Sequence, residues 1–362
     1  MPVTLRDIAE RTGVSPSVVS TVLSGRDNGT FVSKDTRRRV LEVAQQLNYV
    51  PVRSGRPRGS RRLRRMHAEQ FVGIWSPAAD RSSLSLVAAL QEEVALFSDQ
   101  LSGESEDSTS LGLRLIAEAE LPRLDTLGLL GFVVVGDVPL PRSAAAASLP
   151  CVQLGEPDPP LRDAVSVHLD SFAGGQAISE YLWGLGHRSL AFVAPASKPR
   201  VTRHRWQGLQ SVWVERGEAH ASCVPAPYDT DKAPTLREQV ELAVRKLYTA
   251  APQKAAQPTA LVCFDETVAA YALQALHHLG KRVPEDVSVA AFGDTEGGAE
   301  ALSPPVTSIR FPLAQMAKTT VQELYARTEA AQNGATPAEP RRSEIKCPGE
   351  LVARESCAPP AA

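Results

Sequence analysis

TLRDIAERTGVSPSVVSTVL, residues 4–23, decides how the rest of the chain is read. Leu5, Ile8 and Ala9 fall at i, i+3 and i+4, the spacing of one buried helix face. Thr4 stands at the N-cap, with Asp7 three residues on at the positive helix end. Gly13 tolerates the positive φ of a tight turn, and Val14 fills the angle between two helices. Ser15 caps the second helix, Pro16 occupies its first turn, and Val18, Val19 and Val22 face inward. The other face carries Ser17, Ser20, Thr21 and Ser24. A helix-turn-helix leaves that face free to enter a DNA major groove, whereas a hairpin in some larger core would bury it.

Residues 34–47, KDTRRRVLEVAQQL, add a third pattern with Val40, Leu41, Ala44 and Leu47 on one face. Ser33 caps it, and Lys34, Arg37, Arg38 and Arg39 crowd its start. TLRDIAERTGVSPSVVSTVLSG, followed by VSKDTRRRVLEVAQQLNYVP, resembles the headpiece of the lac repressor family (LacI/GalR-type regulators) across all three helices. The GRDNGTF connection, residues 25–31, is longer than usual for that family. By register with it, Pro16, Ser17 and Thr21 take the base-reading positions, where longer side chains also occur. Thr4, Leu5, Ser15, Ser20 and Ser24 complete the expected DNA contacts.

The net charge of −2 conceals an asymmetry. Residues 1–70 hold 14 Lys and Arg against 6 Asp and Glu, and the remainder holds 25 against 35. Positive charge is thus concentrated at the helix-turn-helix, as phosphate contact requires. With 43% hydrophobic and 22% charged residues, the 362-residue chain reads as two or three globular domains. No apolar run has the length of a membrane span and no signal-peptide pattern opens the chain, so the expected compartment is the bacterial cytoplasm and its nucleoid. The cysteines at 151, 223, 263, 347 and 357 show no Cys-x-x-Cys pairing and read as isolated thiols. Neither a metal site nor a cofactor is expected, and no nucleotide-binding or nucleophile-elbow motif supports catalysis.

Residues 51–65, PVRSGRPRGSRRLRR, hold seven arginines and no acid. Pro51, Gly55, Pro57 and Gly59 disfavour a stable free helix. The resemblance implies a hinge here that folds on DNA and wedges a leucine into the minor groove. Arg58 stands in the leucine's place, and Leu63 is the only large apolar residue after it before Met66. The segment reads either as an arm whose Arg53, Arg56 and Arg58 contact minor groove or phosphates, or as a solvated tether.

From Phe71 short apolar runs alternate with helical patterns. FVGIW (71–75), LRLIA (113–117), FVVV (132–135), CVQL (151–154), VSVHL (165–169), LAFVA (190–194), LVCF (261–264) and VSVAAF (287–292) read as strands buried on both faces. Helical patterns cover 83–97, 172–185, 203–216, 236–250, 266–279 and 313–330. The expected fold is an all-α headpiece ahead of an α/β body of two doubly wound, parallel-sheet lobes, with a ligand cleft at the strand carboxyl ends. The expected domains are 1–50 (headpiece), 51–69 (linker) and 70–362 (body). Within the body, lobe 1 takes about 70–163 plus 297–325, and lobe 2 about 164–296 plus the C-terminal segment.

DSFAGG (170–175), LGHRSLAFVAP (185–195), RHRWQGLQSVW (203–213), TALVCFDETVAAYALQAL (259–276), GKRVPEDVSVAAFGD (280–294) and LVARESCAPP (351–360) resemble successive landmarks of the family's periplasmic-binding-protein-like effector domain. Over 98–130 the sequence departs, its second helix shortened or replaced by LPRLDTLGLL (121–130). The resemblance implies effector contacts from Asp170 and Arg205, although each is open to a plainer role as a helix cap or a surface charge. Asp265 reads first as a helix cap. Phe264 and Gly293 replace the asparagine and aspartate common there, which leaves Asp294 as the remaining acid. Trp75 and Trp206 are either stacking faces or core. His187 reads as structural.

The chain is therefore expected to be a non-enzymatic transcriptional repressor that binds a pseudo-palindromic operator as a homodimer, tetramers being undecided. A sugar-like or related metabolite in the cleft would modulate its affinity. Two other readings stay open. In one, a regulator uses its effector-like domain only to dimerise, as the losses at Phe264 and Gly293 suggest. The other is a solute-binding transport protein with a similar two-lobed fold, against which the helix-turn-helix argues.

Overall fold

The computed structural model describes residues 5–24, 32–47, 70–77, 81–103, 110–140, 149–159, 164–195, 199–217, 223–228, 235–249, 257–333 and 343–361. Thr4 and the arginine-rich segment with Arg53, Arg56 and Arg58 lie outside the described residues.

Three helices, α1 (Leu5–Thr12), α2 (Pro16–Ser24) and α3 (Lys34–Gln46), form the headpiece. Gly13 takes φ +68° in the turn. The Val18 amide donates to Ser15 Oγ at 3.4 Å and the Thr36 amide to Ser33 Oγ at 3.2 Å, two of the three expected caps. Ile8, Val19, Val22 and Val40 are wholly buried, with Val14, Leu41 and Leu47 packed around them. Each fully buried aliphatic contributes about 1.5–3 kcal/mol.

The body holds two six-stranded sheets. The first runs in the spatial order β11 (Ser343–Cys347), β5 (Val165–Leu169), β4 (Cys151–Leu154), β3 (Leu129–Val135), β1 (Gln70–Trp75), β2 (Leu111–Leu115). The second runs β12 (Glu350–Val352), β10 (Thr307–Arg310), β9 (Ser288–Phe292), β8 (Ala260–Cys263), β6 (Leu190–Pro195), β7 (Cys223–Tyr228). Neighbours pair in parallel except β10 with β12. Strands β5, β6, β8 and β9 are buried along their whole length, which is why their sequences show no alternation. Helices α4 (Arg81–Gly103) and α9 (Leu313–Gln332) pack on the first sheet. Helices α5 (Ser171–Gly184), α6 (Pro199–Glu215), α7 (Leu236–Thr249) and α8 (Glu266–His278) build the second lobe.

Between β2 and β3 a 3-10 helix, Glu118–Thr126, stands where a longer helix would go. Pro122 inside it lacks the N–H an α-helix needs, while Leu121 and Leu124 are still buried. Strand β7 escaped the sequence reading because of Pro225 and Pro227, which only an edge strand accepts.

The strand pairing differs from the expected lobe partition in three places. Strand β5 joins the first sheet beside β4, β10 joins the second beside β9, and the C-terminal segment is divided between β11 and β12. An apolar run carries no mark of which sheet it will join. The chain passes between lobes at Asp170, at 311–312 and at 348–349. The Asp170 amide donates to the Cys347 carbonyl at 2.8 Å, tying two of these passages together. Among the described residues no helix is long and apolar enough to cross a membrane.

Candidate functional site

The headpiece presents one candidate surface. Ser15 and Pro16 are exposed where α2 begins, and Val19 and Val22 anchor its inner side. Helical periodicity sets positions 17, 20, 21 and 24 on the side away from those valines, and Leu5 opens α1. Arg37, Arg38 and Arg39 are exposed on α3.

The second candidate is a cavity of about 120 Å³ between the carboxyl ends of the two sheets. The first lobe contributes Asp137 after β3, Glu156 after β4 and His168 in β5. The second contributes Arg205 of α6 and residues 264–267, where β8 passes into α8. Three buried polar atoms on these lining residues have no hydrogen-bond partner: His168 Nε2, Arg205 Nε and Glu266 Oε2. Each has almost no accessible surface, as do the unpartnered Gln153 Oε1, Trp213 Nε1 and Asp294 Oδ1 away from the cavity.

Arg205 donates from Nη1 to the Phe264 carbonyl at 2.6 Å, and its guanidinium lies 4.3 and 4.5 Å from the Phe264 and Phe292 ring centres. Burial pulls its pKa below the usual arginine value, and Asp137, Asp265, Glu156 and Glu266 pull the other way. Glu266 is 5% exposed and accepts from Thr295 Oγ1. Burial raises its carboxyl above the ordinary value, and the Thr295 bond partly offsets this. Gly293 lies directly behind it at φ +84°, and a Cβ added there would overlap Glu266 Oε2. The missing side chain at 293 is therefore the room that Glu266 occupies.

Glu156, 3% exposed, accepts from Ser171 Oγ at 3.2 Å, contacts Arg200 Nε at 3.6 Å and is held by His204 Nδ1. Arg200 also donates to the Pro157 carbonyl at 3.3 Å and pairs with Glu344 of β11. Arg200 and His204 lie on α6, whose Val201, Leu209 and Trp213 are in the second-lobe core, whereas Glu156 and Glu344 belong to the first lobe. These ion pairs join the lobes beside the cavity.

Of the expected effector residues, Arg205, Phe264 and Asp265 line the cavity. Asp265 also caps α8, accepting from the Val268 amide at 2.7 Å. Asp170 caps α5 through the Ala173 amide at 3.1 Å and lies outside the lining. Asp294 accepts from Arg310 Nε at 3.1 Å and Arg354 Nη2 at 2.5 Å, so it ties the second lobe together. Trp75 is buried with Ile116, Leu121 and Leu124, and Trp206 stacks on Phe192 with centroids 6.1 Å apart. His187 bridges Thr259, Ser288 and the Ala358 carbonyl. The sequence reading missed Asp137, Glu156, His168 and Glu266. The available signals were a lone histidine inside an apolar strand and acids directly after strands.

Residues 4–52 match the model of bacterial regulatory proteins of the lacI family, and residues 179–357 match the periplasmic binding protein-like domain. The chain is 27% identical over 328 residues to the ribose operon repressor of Haemophilus influenzae, covering 90% of this chain and 91% of that protein. It is 29% identical over 341 residues to the transcriptional regulator CelR of Thermobifida fusca, with the same coverages. The lac repressor dimer bound to operator and the anti-inducer ONPF shares the fold at a TM-score of 0.61 and 21% identity, covering 99% of this chain and 100% of that one.

Proposed function

We propose that this chain, which belongs to the lacI family of bacterial regulatory proteins, is a cytoplasmic transcriptional repressor that binds operator DNA as a homodimer and responds to a small metabolite in its interlobe cleft. Residues 1–50 read the DNA, 51–69 link, and 70–362 sense and dimerise. Two headpieces related by a two-fold axis suit a pseudo-palindromic site. Ser15, Pro16, Ser17, Ser20, Thr21 and Ser24 are the positions at α2 assigned to base and phosphate contact, and Arg53, Arg56 and Arg58 would add charge to the backbone contact. A ligand that prefers one lobe arrangement changes operator affinity, and the operator changes ligand affinity by the same factor.

The observation that carries the effector half is the cavity between the carboxyl ends of the two sheets, lined from both lobes by Asp137, Glu156, Arg205 and Glu266. A body that served only dimerisation has no use for a polar-lined space between its lobes, which argues against the effector-independent reading. The test of the DNA half is selection of bound sequences from random duplex DNA by the full chain. A two-fold symmetric motif is expected, and Thr21→Arg is expected to alter the base preference within each half-site. An unaltered motif would remove Thr21 from the reading face, and no enriched motif would overturn the function.

A further inference from the structure

We propose that Glu156, Arg200, His204 and Glu344 form a strap across the cleft that sets how often the cavity opens to solvent. This role does not depend on what the cavity holds. The covalent links between the lobes gather at one place. Leu169 ends β5 just before the passage at Asp170, and Ile309 and Arg310 end β10 just before the passage at 311–312. A Cβ added to Gly349, in the third passage, would lie 2.9 Å from Leu169 Cδ1, 2.5 Å from Ile309 Cγ2 and 3.1 Å from the Arg310 carbonyl oxygen. Three stretches of chain pressed together without room for a methyl group make a narrow hinge for rotation of the lobes. The angle between the lobes is then set by what bridges the cleft away from that hinge.

The strap is such a bridge. Glu344 stands three residues before Cys347, whose carbonyl holds the Asp170 amide, and so lies about 10 Å along β11 from the hinge. From the second lobe, Arg200 reaches Glu156 through Nε at 3.6 Å, the Pro157 carbonyl through Nη1 at 3.3 Å, and Glu344 through Nη2. His204, one turn further along α6, holds Glu156 through Nδ1. The Arg200 and Glu156 side chains are 8% and 3% exposed, so water does little to weaken their pairing. A strap tied to a loose helix would hold nothing, but α6 is locked to α5. A Cβ on Gly208 would overlap the Phe172 carbonyl and one on Gly175 the Arg205 carbonyl, so the two helices meet backbone to backbone. Helix α5 begins at the hinge, and the hinge, α5, α6 and the second-lobe end of the strap therefore move together. Opening the cavity means parting a buried guanidinium from two carboxylates of the other lobe, which leaves charges without their partners.

The test uses the full chain carrying Ser83→Cys, a conservative change at a cavity-lining residue that is 3% exposed. Its thiol is expected to react with pyrene maleimide when the lobes part, and mass spectrometry of the peptides reads the rate. Cys263, wholly buried in β8, reports unfolding of the second lobe in the same sample. Glu344→Gln, at the partly exposed end of the strap, is expected to speed labelling of Ser83→Cys at least fivefold with Cys263 unchanged. Arg200→Ala removes the centre of the strap and is expected to speed it further. A gain below fivefold in both variants overturns the strap. A gain that Cys263 matches in both also overturns it, since the ion pairs would then support the fold as a whole and not the closure of the cleft.

Discussion

In the headpiece, Ile8, Val19, Val22 and Val40 come from three consecutive helices and meet in one apolar core, while caps at Ser15 and Ser33 serve the helix starts. In the cleft, His168, Arg205 and Glu266 come from β5, α6 and α8, and each keeps a buried polar atom without a partner. The headpiece is held together by local apolar contacts. The cleft carries unsatisfied groups that cost about 1–3 kcal/mol each, and the surrounding cores must offset them. One region is closed upon itself, and the other keeps a polar-lined space between its lobes.

Substitutions at either region test that division. Ile8→Ala is expected to have the largest effect. It empties a wholly buried site at a cost of about 2–5 kcal/mol, comparable to all that so small a core supplies. Operator binding in an electrophoretic assay should vanish while the main calorimetric transition of the body stays in place. A shift of that transition would show that the two regions fold as one unit. Next is Arg200→Ala, which strips Glu156 and Glu344 of their shared cation across the lobes. Breaking a buried pair from one side costs about 3–5 kcal/mol, so the body should melt roughly 6 °C or more lower. An unchanged melting temperature would mean that the lobes do not depend on this pairing.

Gly293→Ala should cost about 1–3 kcal/mol, because the new methyl group meets the Glu266 carboxyl at a left-handed backbone position. Combining it with Glu266→Ala should recover much of that loss in chemical denaturation. Equal costs in both backgrounds would refute the clash. The smallest effect concerns pH. The Glu266 carboxyl is raised in the folded chain above its ordinary 4.5, so the folded state holds this proton after the unfolded chain has released it. Its contribution therefore weakens stability as pH rises from about 4.5 through the folded value. The ligand-free Glu266→Gln protein should match wild type near the lower limit and melt higher at pH 7. A difference that shrinks with rising pH would contradict this.

The headpiece was legible because its signals are short-range: i, i+3, i+4 apolar spacing, a cap before each of two helices, and one glycine in the turn. Most strands and helices of the body were legible for the same reason. The assignment of β5 and β10 to sheets was not, since pairing partners are distant in sequence and one buried run resembles another. In the cleft, Arg205 was reached by resemblance to a family, whereas His168 looked like one polar residue in an apolar strand. Glu266 stood beside Asp265, which drew attention as the cap. Asp294 looked available until Arg310 and Arg354 were seen to hold it.

The sequence by itself determined that a basic three-helix unit precedes an α/β body of near-continuous apolar strands, because propensity, periodicity and charge act over a few residues. Only the tertiary structure decided which acids and bases face one another across the lobes. It gave the space left by Gly293 to Glu266 and joined Glu156 to Arg200. Those outcomes depend on burial and on distances between remote segments, which exist only once the two sheets have closed around the cavity.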